Sequence, residues 1–112
     1  MIGAWKTVTI AINGTDSAEV DLGGAFQHVQ VYNPALDSAT ITVKLARESG
    51  DTVVQAYSFD DDATGDFVKT TTARATAGMN VFKDVWANWI KIILSAAQSS
   101  AARTFYVRGI NL

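Results

Sequence analysis

The chain has 112 residues, no cysteine and a formal net charge of −2. This length predicts a single domain, residues 1–112, with one core, and the lack of cysteine excludes disulfides, thiolate zinc sites and cysteine nucleophiles. The nine basic residues are scattered along the chain, which argues against a nucleic-acid partner because a phosphate-tracking surface needs clustered cations.

The N-terminal segment MIGAWKTVTIAING alternates apolar residues with threonine. This alternation predicts a half-buried strand with Val8, Ile10 and Ile12 on its inner face, and the segment lacks the basic and apolar regions of a signal peptide. The longest apolar run, WIKIILSAA, is interrupted by Lys91 and is shorter than the roughly eighteen residues of a membrane span. We therefore expect synthesis and folding in a cytoplasm, and no membrane partner.

The period of two continues through the first half of the chain. Pro34 and the glycine pair Gly23-Gly24 mark the ends of strands, because neither residue type favours continuing a ladder. Apolar groups on both faces of the segment from Phe26 to Tyr32 indicate a central strand. The remaining predicted strands in this half are AEVDL, ATITVKLA and TVVQAYSF.

The second half is less regular. DFVKTTTARATAG predicts a strand plus a loop, and RTFYVRGI predicts the last strand. In NVFKDVWANWIKIILSAAQ the spacing of the aromatic residues also fits a helix, so we predict a helical turn from Val81 to Trp86 and a strand from Trp89 to Leu94. The chain is therefore predicted to be all-β, an antiparallel sandwich or barrel of about eight strands with one short helical turn.

The stretch SFDDDATGDF concentrates acidic residues. Asp60, Asp62 and Thr64 match the first half of a calcium loop, but Thr71 stands at the twelfth position and cannot supply the bidentate carboxylate. A solvated turn is the preferred interpretation, with no cofactor. Calcium stays the alternative, and its weak candidate ligands are Asp60, Asp62, Thr64 and Asp66.

The residue inventory argues against an enzyme. His28 is the sole histidine, so no triad or two-histidine metal site can form around a partner histidine, and its place on an apolar strand favours a packed or surface role. The clustered aspartates are predicted to be solvated, so their pKa values need not rise as a general acid requires. No catalytic residue is assigned.

The aromatic residues are the remaining candidates for function. Trp5, Trp86 and Trp89, together with Tyr57 and Tyr106, could stack on sugar rings if they form an exposed row. Packing in a core or an interface is the commoner use of such residues. Trp86 and Trp89 are the pair that this reasoning places first.

The order of these features resembles a known family. The segments NGTDSAEVDLGG, a strand ending in NPA, ATITVKLARESGDTVVQAY, VFKDVWANWIKIILSA and TFYVRGI are similar in pattern to small β-sandwich structural proteins of tailed bacteriophage virions. Those proteins decorate or cement a capsid.

The resemblance implies a jelly-roll-like sandwich, seated on the major capsid protein or other virion subunits as a homo-oligomer, with a trimer favoured. It carries no catalytic residues, and it leaves head, neck and tail open as the location. The alternative function is a carbohydrate-binding or receptor-binding module of a phage tail or particle.

Overall fold

The computed structural model describes residues 1–55, 57–59, 66–68 and 70–111. In these residues the protein is all-β, and they include no helix that could cross a membrane. The strands are β1 (Lys6–Ile10), β2 (Val20–Phe26), β3 (His28–Asn33), β4 (Ile41–Ala46), β5 (Val54–Gln55), β6 (Tyr57–Phe59), β7 (Asp66–Val68), β8 (Gly78–Phe82), β9 (Ala87–Leu94) and β10 (Arg103–Ile110).

Eight of these strands form two antiparallel sheets. Sheet A has the order β1-β10-β3-β8, sheet B has the order β2-β9-β4-β5, and β6 pairs with β7 alone. The pairs β1 with β10, β2 with β9, β3 with β8 and β4 with β5 nest inside one another as in a single long hairpin. The hairpin is rolled so that β10 also pairs with β3 and β9 with β4. This is the jelly-roll arrangement, and it confirms the predicted all-β sandwich.

The core lies between the two sheets and follows the predicted alternation. Its fully buried side chains include Ile10, Val31, Ile41, Ile90 and Phe105, which alternate along their strands with outward residues as half-buried strands require. Ile12 was expected on the buried face of β1, but it is exposed. The reason is that β1 ends at Ile10 and the chain turns immediately, with Gly14 N–H donating to the Ala11 carbonyl.

The glycine pair is a bulge instead of a strand end. β2 continues through Gly23 and Gly24 to Phe26, and its register against β9 shifts between Asp21 and Phe26. Gly23 has a φ of 84° and donates its N–H to Asp21 Oδ1, a backbone conformation that favours glycine. Phe26 therefore ends β2, and only Gln27 separates it from the central strand β3.

The helical turn predicted from Val81 to Trp86 was wrong. Val81 and Phe82 end β8, and the turn that follows places Asp84 and Trp86 at φ values of 55° and 51°. The N–H groups of Val85 and Trp86 both donate to the Gln27 carbonyl. Because these donors bond across to β2–β3 instead of to the preceding turn, no helix forms. The predicted strand from Trp89 to Leu94 is confirmed within β9.

The partner of β4 along one edge is an interrupted strand. β5 pairs with Lys44 and Leu45, and farther along the same edge Thr70 forms a bridge with Thr42. The N–H of Thr71 continues this pairing by donating to the Ile41 carbonyl. Between the two pieces the chain forms the β6–β7 pair, so Phe59 and Asp66, which belong to the described part of the acidic stretch, lie outside the two sheets of the sandwich.

Candidate interaction surface

The outer face of sheet A carries two neighbouring rows of large side chains. The strand registers place Thr7, Tyr106, Tyr32 and Met79 in one row across all four strands. The next row contains Arg108, Gln30 and Val81, with Trp5 at its end. We call Trp5, Tyr32, Met79, Val81, Tyr106 and Arg108 the aromatic face.

The side chains of the aromatic face hold one another in place. The rings of Tyr32 and Tyr106 meet edge to face, with centroids 5.8 Å apart and an interplanar angle of 61°. The guanidinium carbon of Arg108 lies 4.2 Å from the centroid of Trp5, and Arg108 Nε donates to Gln30 Oε1 at 2.7 Å. Both geometries are favourable for aromatic and cation–π contacts, so this surface is ordered before any partner binds.

The aromatic face is exposed and slightly concave. Trp5 is 40%, Tyr106 43% and Met79 53% exposed. Together with Tyr32 they line an open depression of about 450 Å³. Large apolar side chains that stay exposed next to one another mark binding surfaces more often than isolated exposed residues do.

The chemistry of this depression suits binding. Its lining residues carry no carboxylate, imidazole or thiol, and their polar atoms are the two tyrosine hydroxyls and the indole N–H. Tyr, Trp, Met and Arg are the residues that protein–protein interfaces favour. The rigid rings lose little conformational freedom when they are covered, which makes them efficient anchors.

The structure separates the three tryptophans that the sequence singled out. Trp5 belongs to the aromatic face, together with Tyr106. Trp89 lies half-buried on β9, opposite Asp21, and therefore faces outward from sheet B. Trp86 lies in the β8–β9 turn and is 70% exposed. Trp86 and Trp89, the pair placed first, thus sit on different elements.

Four of the six members of the aromatic face were not among the candidates from the sequence, and two of these four, Tyr32 and Met79, line the depression. Tyr32 alternates with buried Val31 and Asn33 on β3, and Met79 precedes buried Asn80 on β8. This alternation marks both residues as outward-facing, but only the pairing of β3 with β10 and β8 brings them beside Tyr106.

The turn that carries Trp86 is anchored to the β2–β3 connection. Asp84 N–H donates to His28 Nδ1 at 3.1 Å, and Gln27 Nε2 donates to Asp84 Oδ1 at 3.0 Å. His28 is buried, so the sole histidine packs and supports a turn, in line with its predicted packed or surface role. These bonds hold two non-glycine residues at positive φ, a conformation that bulky residues seldom adopt.

The proposed metal ligands Asp60, Asp62 and Thr64 lie outside the described residues. Asp66 begins β7, where its register partner is Phe59. Within the described ranges, no group of three or more His, Cys, Asp or Glu residues is placed to hold a metal ion. The calcium alternative for the acidic stretch stays a prediction.

Comparisons of the chain with protein-family models, curated proteins and solved structures give no match. The fold, the aromatic face and the resemblance in sequence pattern are the observations that bear on function.

Proposed function

We propose that the protein is a non-enzymatic structural subunit of a tailed-bacteriophage virion, a capsid decoration or cement protein that stabilises the head. It binds the major capsid protein through the aromatic face. The observation that carries this proposal is the side-by-side placement of Trp5, Tyr32, Tyr106 and Met79 on one exposed sheet surface. The jelly-roll strand order and the resemblance of the sequence pattern to virion proteins support it.

The aromatic face can supply the binding energy of such a contact. Covering large aromatic side chains removes much apolar area from water, and tyrosine and tryptophan in the centre of an interface are common hot spots. Arg108 is already held by Trp5 and Gln30, so little of its side-chain entropy is left to lose on binding.

The proposal also includes the location of the protein and its oligomeric state. The protein is made in the cytoplasm of the bacterial host and functions in the virion, bound to the major capsid protein or other virion subunits. It assembles as a homo-oligomer, for which the sequence resemblance favours a trimer.

The test is co-sedimentation of the purified protein with shells assembled from the major capsid protein of the same genome. Saturable binding at a fixed ratio per capsomer is expected. Tyr106→Ala should weaken binding at least about tenfold, as a central aromatic anchor does. The matched control is Trp89→Ala, which truncates an aromatic residue on β9, the corresponding inner strand of sheet B, and should change binding less than about twofold. No binding at any ratio, or equal loss with both variants, would overturn the proposal.

A carbohydrate-binding or receptor-binding module is the second candidate. Its specific support is the position of Arg108 and Gln30 beside the exposed ring of Trp5, since sugar sites combine a stacking ring with adjacent hydrogen-bonding groups. Saturable quenching of tryptophan emission by host surface glycans, abolished in Trp5→Phe, would favour this function if shell binding fails.

A further inference from the structure

We infer that two copies of this chain associate by antiparallel pairing of β8 with β8, which joins their A sheets into one continuous sheet. This two-fold pair stands in place of the trimer that the sequence resemblance favours. The partner in this contact is a second copy and the contact site is the backbone edge of β8, which lies beside the aromatic face and shares Met79 and Val81 with it.

Four strands lie at the edges of the two sheets, β1 and β8 in sheet A and β2 and β5 in sheet B. Edge strands expose unpaired backbone groups, and proteins protect them with charges, bulges or short length. β1 carries Lys6, β2 carries Asp21 and a register shift, and β5 is two residues long. Each of these three edges therefore has a recognised protection against pairing.

β8 has none of these protections. Its sequence, GMNVF, contains no charged residue and no proline, and it lies in register with β3 over all five of its residues. Met79 and Val81 point outward and are 53% and 50% exposed. In the part of the chain that the structure describes, β8 forms a ladder on one side only.

The pattern of β8 is complementary to itself. Only a register centred on Asn80 pairs all five residues of both copies. In this register Met79 of each copy lies opposite Val81 of the other copy. A two-fold axis makes both contacts at once, as a closed symmetric dimer requires. The outward pairs are apolar on both sides, so no like charges meet across the new ladder.

β8 is also rigidly held for such a contact. Asn80, which points inward, donates through Nδ2 to the Val31 carbonyl and to Asn33 Oδ1, and its Oδ1 accepts from Arg74 Nε. These bonds satisfy the inward amide within its own chain. The strand therefore does not need to reorganise its buried polar groups before it pairs.

The test is the solution mass of the full chain by light scattering over a wide concentration range. A mass of twice 12.0 kDa is expected. Met79→Lys with Val81→Lys places lysine opposite lysine in the predicted register, and the dimer dissociation constant should rise at least about 100-fold. Met79→Lys with Val81→Glu places lysine opposite glutamate, and this variant should still dimerise.

Two controls keep the result specific. Thr7→Lys with Thr9→Lys adds the same charges to the outward face of β1, the opposite edge of sheet A, and should leave the dimer intact. Amide hydrogen exchange on the unmodified chain should show protection of β8 that grows with concentration, with no such growth in β1. This second measurement does not depend on the folding of any variant.

Several outcomes would overturn the inference. They are a mass of one chain or of three chains at every concentration, a Lys/Lys variant that dimerises as tightly as the unmodified protein, and exchange in β8 that is independent of concentration. An unmodified chain that binds shells as a monomer would refute β8 pairing alone, whereas an unmodified chain that dimerises through β8 but does not bind shells would refute the proposed function alone.

Discussion

The outer faces of the two sheets are built on the same alternating strands but present different chemistry. Sheet A exposes the aromatic face, on which the side chains of Tyr32, Tyr106 and Met79 adjoin. Sheet B presents Lys44 opposite Lys91, and Asp21 opposite Trp89, along its outward rows. Thr42 also faces outward from sheet B, and its hydroxyl forms a hydrogen bond with the hydroxyl of Thr70, with an oxygen–oxygen distance of 2.7 Å.

This difference separates what the fold requires from what it does not. A sandwich needs apolar residues on its two inner faces, and both sheets provide them. Nothing in the packing of the core calls for a tryptophan and two tyrosines on the outside of one sheet. This excess of exposed aromatic residues is the feature on which the proposed binding of a partner rests.

The largest predicted effect concerns the packing of sheet A against sheet B, where β10 meets the end of β2. A Cβ atom at Gly109 of β10 would lie 2.1 Å from Cγ of Phe26, the last residue of β2. Cγ is close to the backbone and cannot swing away, so Gly109→Ala should lower the free energy of unfolding by about 3 kcal/mol. Chemical denaturation measures this value.

The matched glycine control is Gly24→Ala. A Cβ at Gly24 would lie 3.7 Å from Cε2 of Phe26, an ordinary contact, and should change the free energy of unfolding by less than about 0.5 kcal/mol. Equal effects of the two substitutions would contradict the role assigned to the contact between Phe26 and Gly109.

A second prediction compares one cation from each face. Arg108→Met removes the guanidinium over Trp5 and the hydrogen bond to Gln30, and should lower the free energy of unfolding by about 1 kcal/mol. Lys91→Met removes a cation that faces Lys44 and should not destabilise the protein. Thermal melts measure the contrast between the two variants, which would vanish if Arg108 were only a solvated surface charge.

Much of the fold was predictable because the inward and outward residues of half-buried strands alternate locally. The predicted strands ATITVKLA and RTFYVRGI contain β4 and β10, and Val43 and Phe105 on these strands are buried. The errors arose where local patterns have two meanings. A glycine pair can end a strand or form a bulge. Here β2 continues past Gly23 with a shift in its register against β9, so the pair forms a bulge.

The helical turn failed for a related reason. Phe82, Trp86 and Trp89 have helical spacing, but they lie on a strand, a turn and another strand. The bonds from Val85 and Trp86 to the Gln27 carbonyl are tertiary, so no local window could contain them.

The candidate surface was predictable in part. Trp5 and Tyr106 were recognised by residue type, as aromatic rings that could stack on a ligand if they were exposed. Their convergence with Tyr32 and Met79 depends on strand order, which joins β10 to β3 and β3 to β8 across long separations in sequence. Composition and periodicity do not contain that order.

A third prediction concerns the pair of lysines on the outer face of sheet B. Lys44 and Lys91 are directly opposite on neighbouring strands, and like charges in such pairs are destabilising. Lys44→Glu should replace repulsion with attraction and raise the free energy of unfolding by about 0.5 kcal/mol. The gain should shrink in high salt because both side chains are partly exposed. A destabilised variant, or a gain that is insensitive to salt, would contradict this electrostatic reading of the pair.

The smallest predicted effect concerns Asp37, which lies in the connection between β3 and β4 and belongs to neither face. Its carboxylate accepts hydrogen bonds from Ser100 Oγ at 3.0 Å and from Arg103 at 3.2 Å. The Ser100 hydrogen bond, followed by the charge of Arg103, lowers the pKa of Asp37 from its ordinary value of 3.8.

A lowered pKa in the folded state means that the ionised carboxylate stabilises the fold above the ordinary value, and that this contribution is lost as pH falls through the folded value. Asp37→Asn should therefore melt slightly below the unmodified protein at neutral pH, and the gap should close below about pH 4. Both chains share every other carboxylate, so the difference between their melting curves isolates Asp37. A difference in melting temperature that stays constant down to strongly acidic pH would show that Asp37→Asn destabilises the protein through altered packing and not through loss of the charge. Partner binding by the aromatic face should be the same in both chains at neutral pH, because this cluster anchors loops at the end of the sandwich and does not reach the outer face of sheet A.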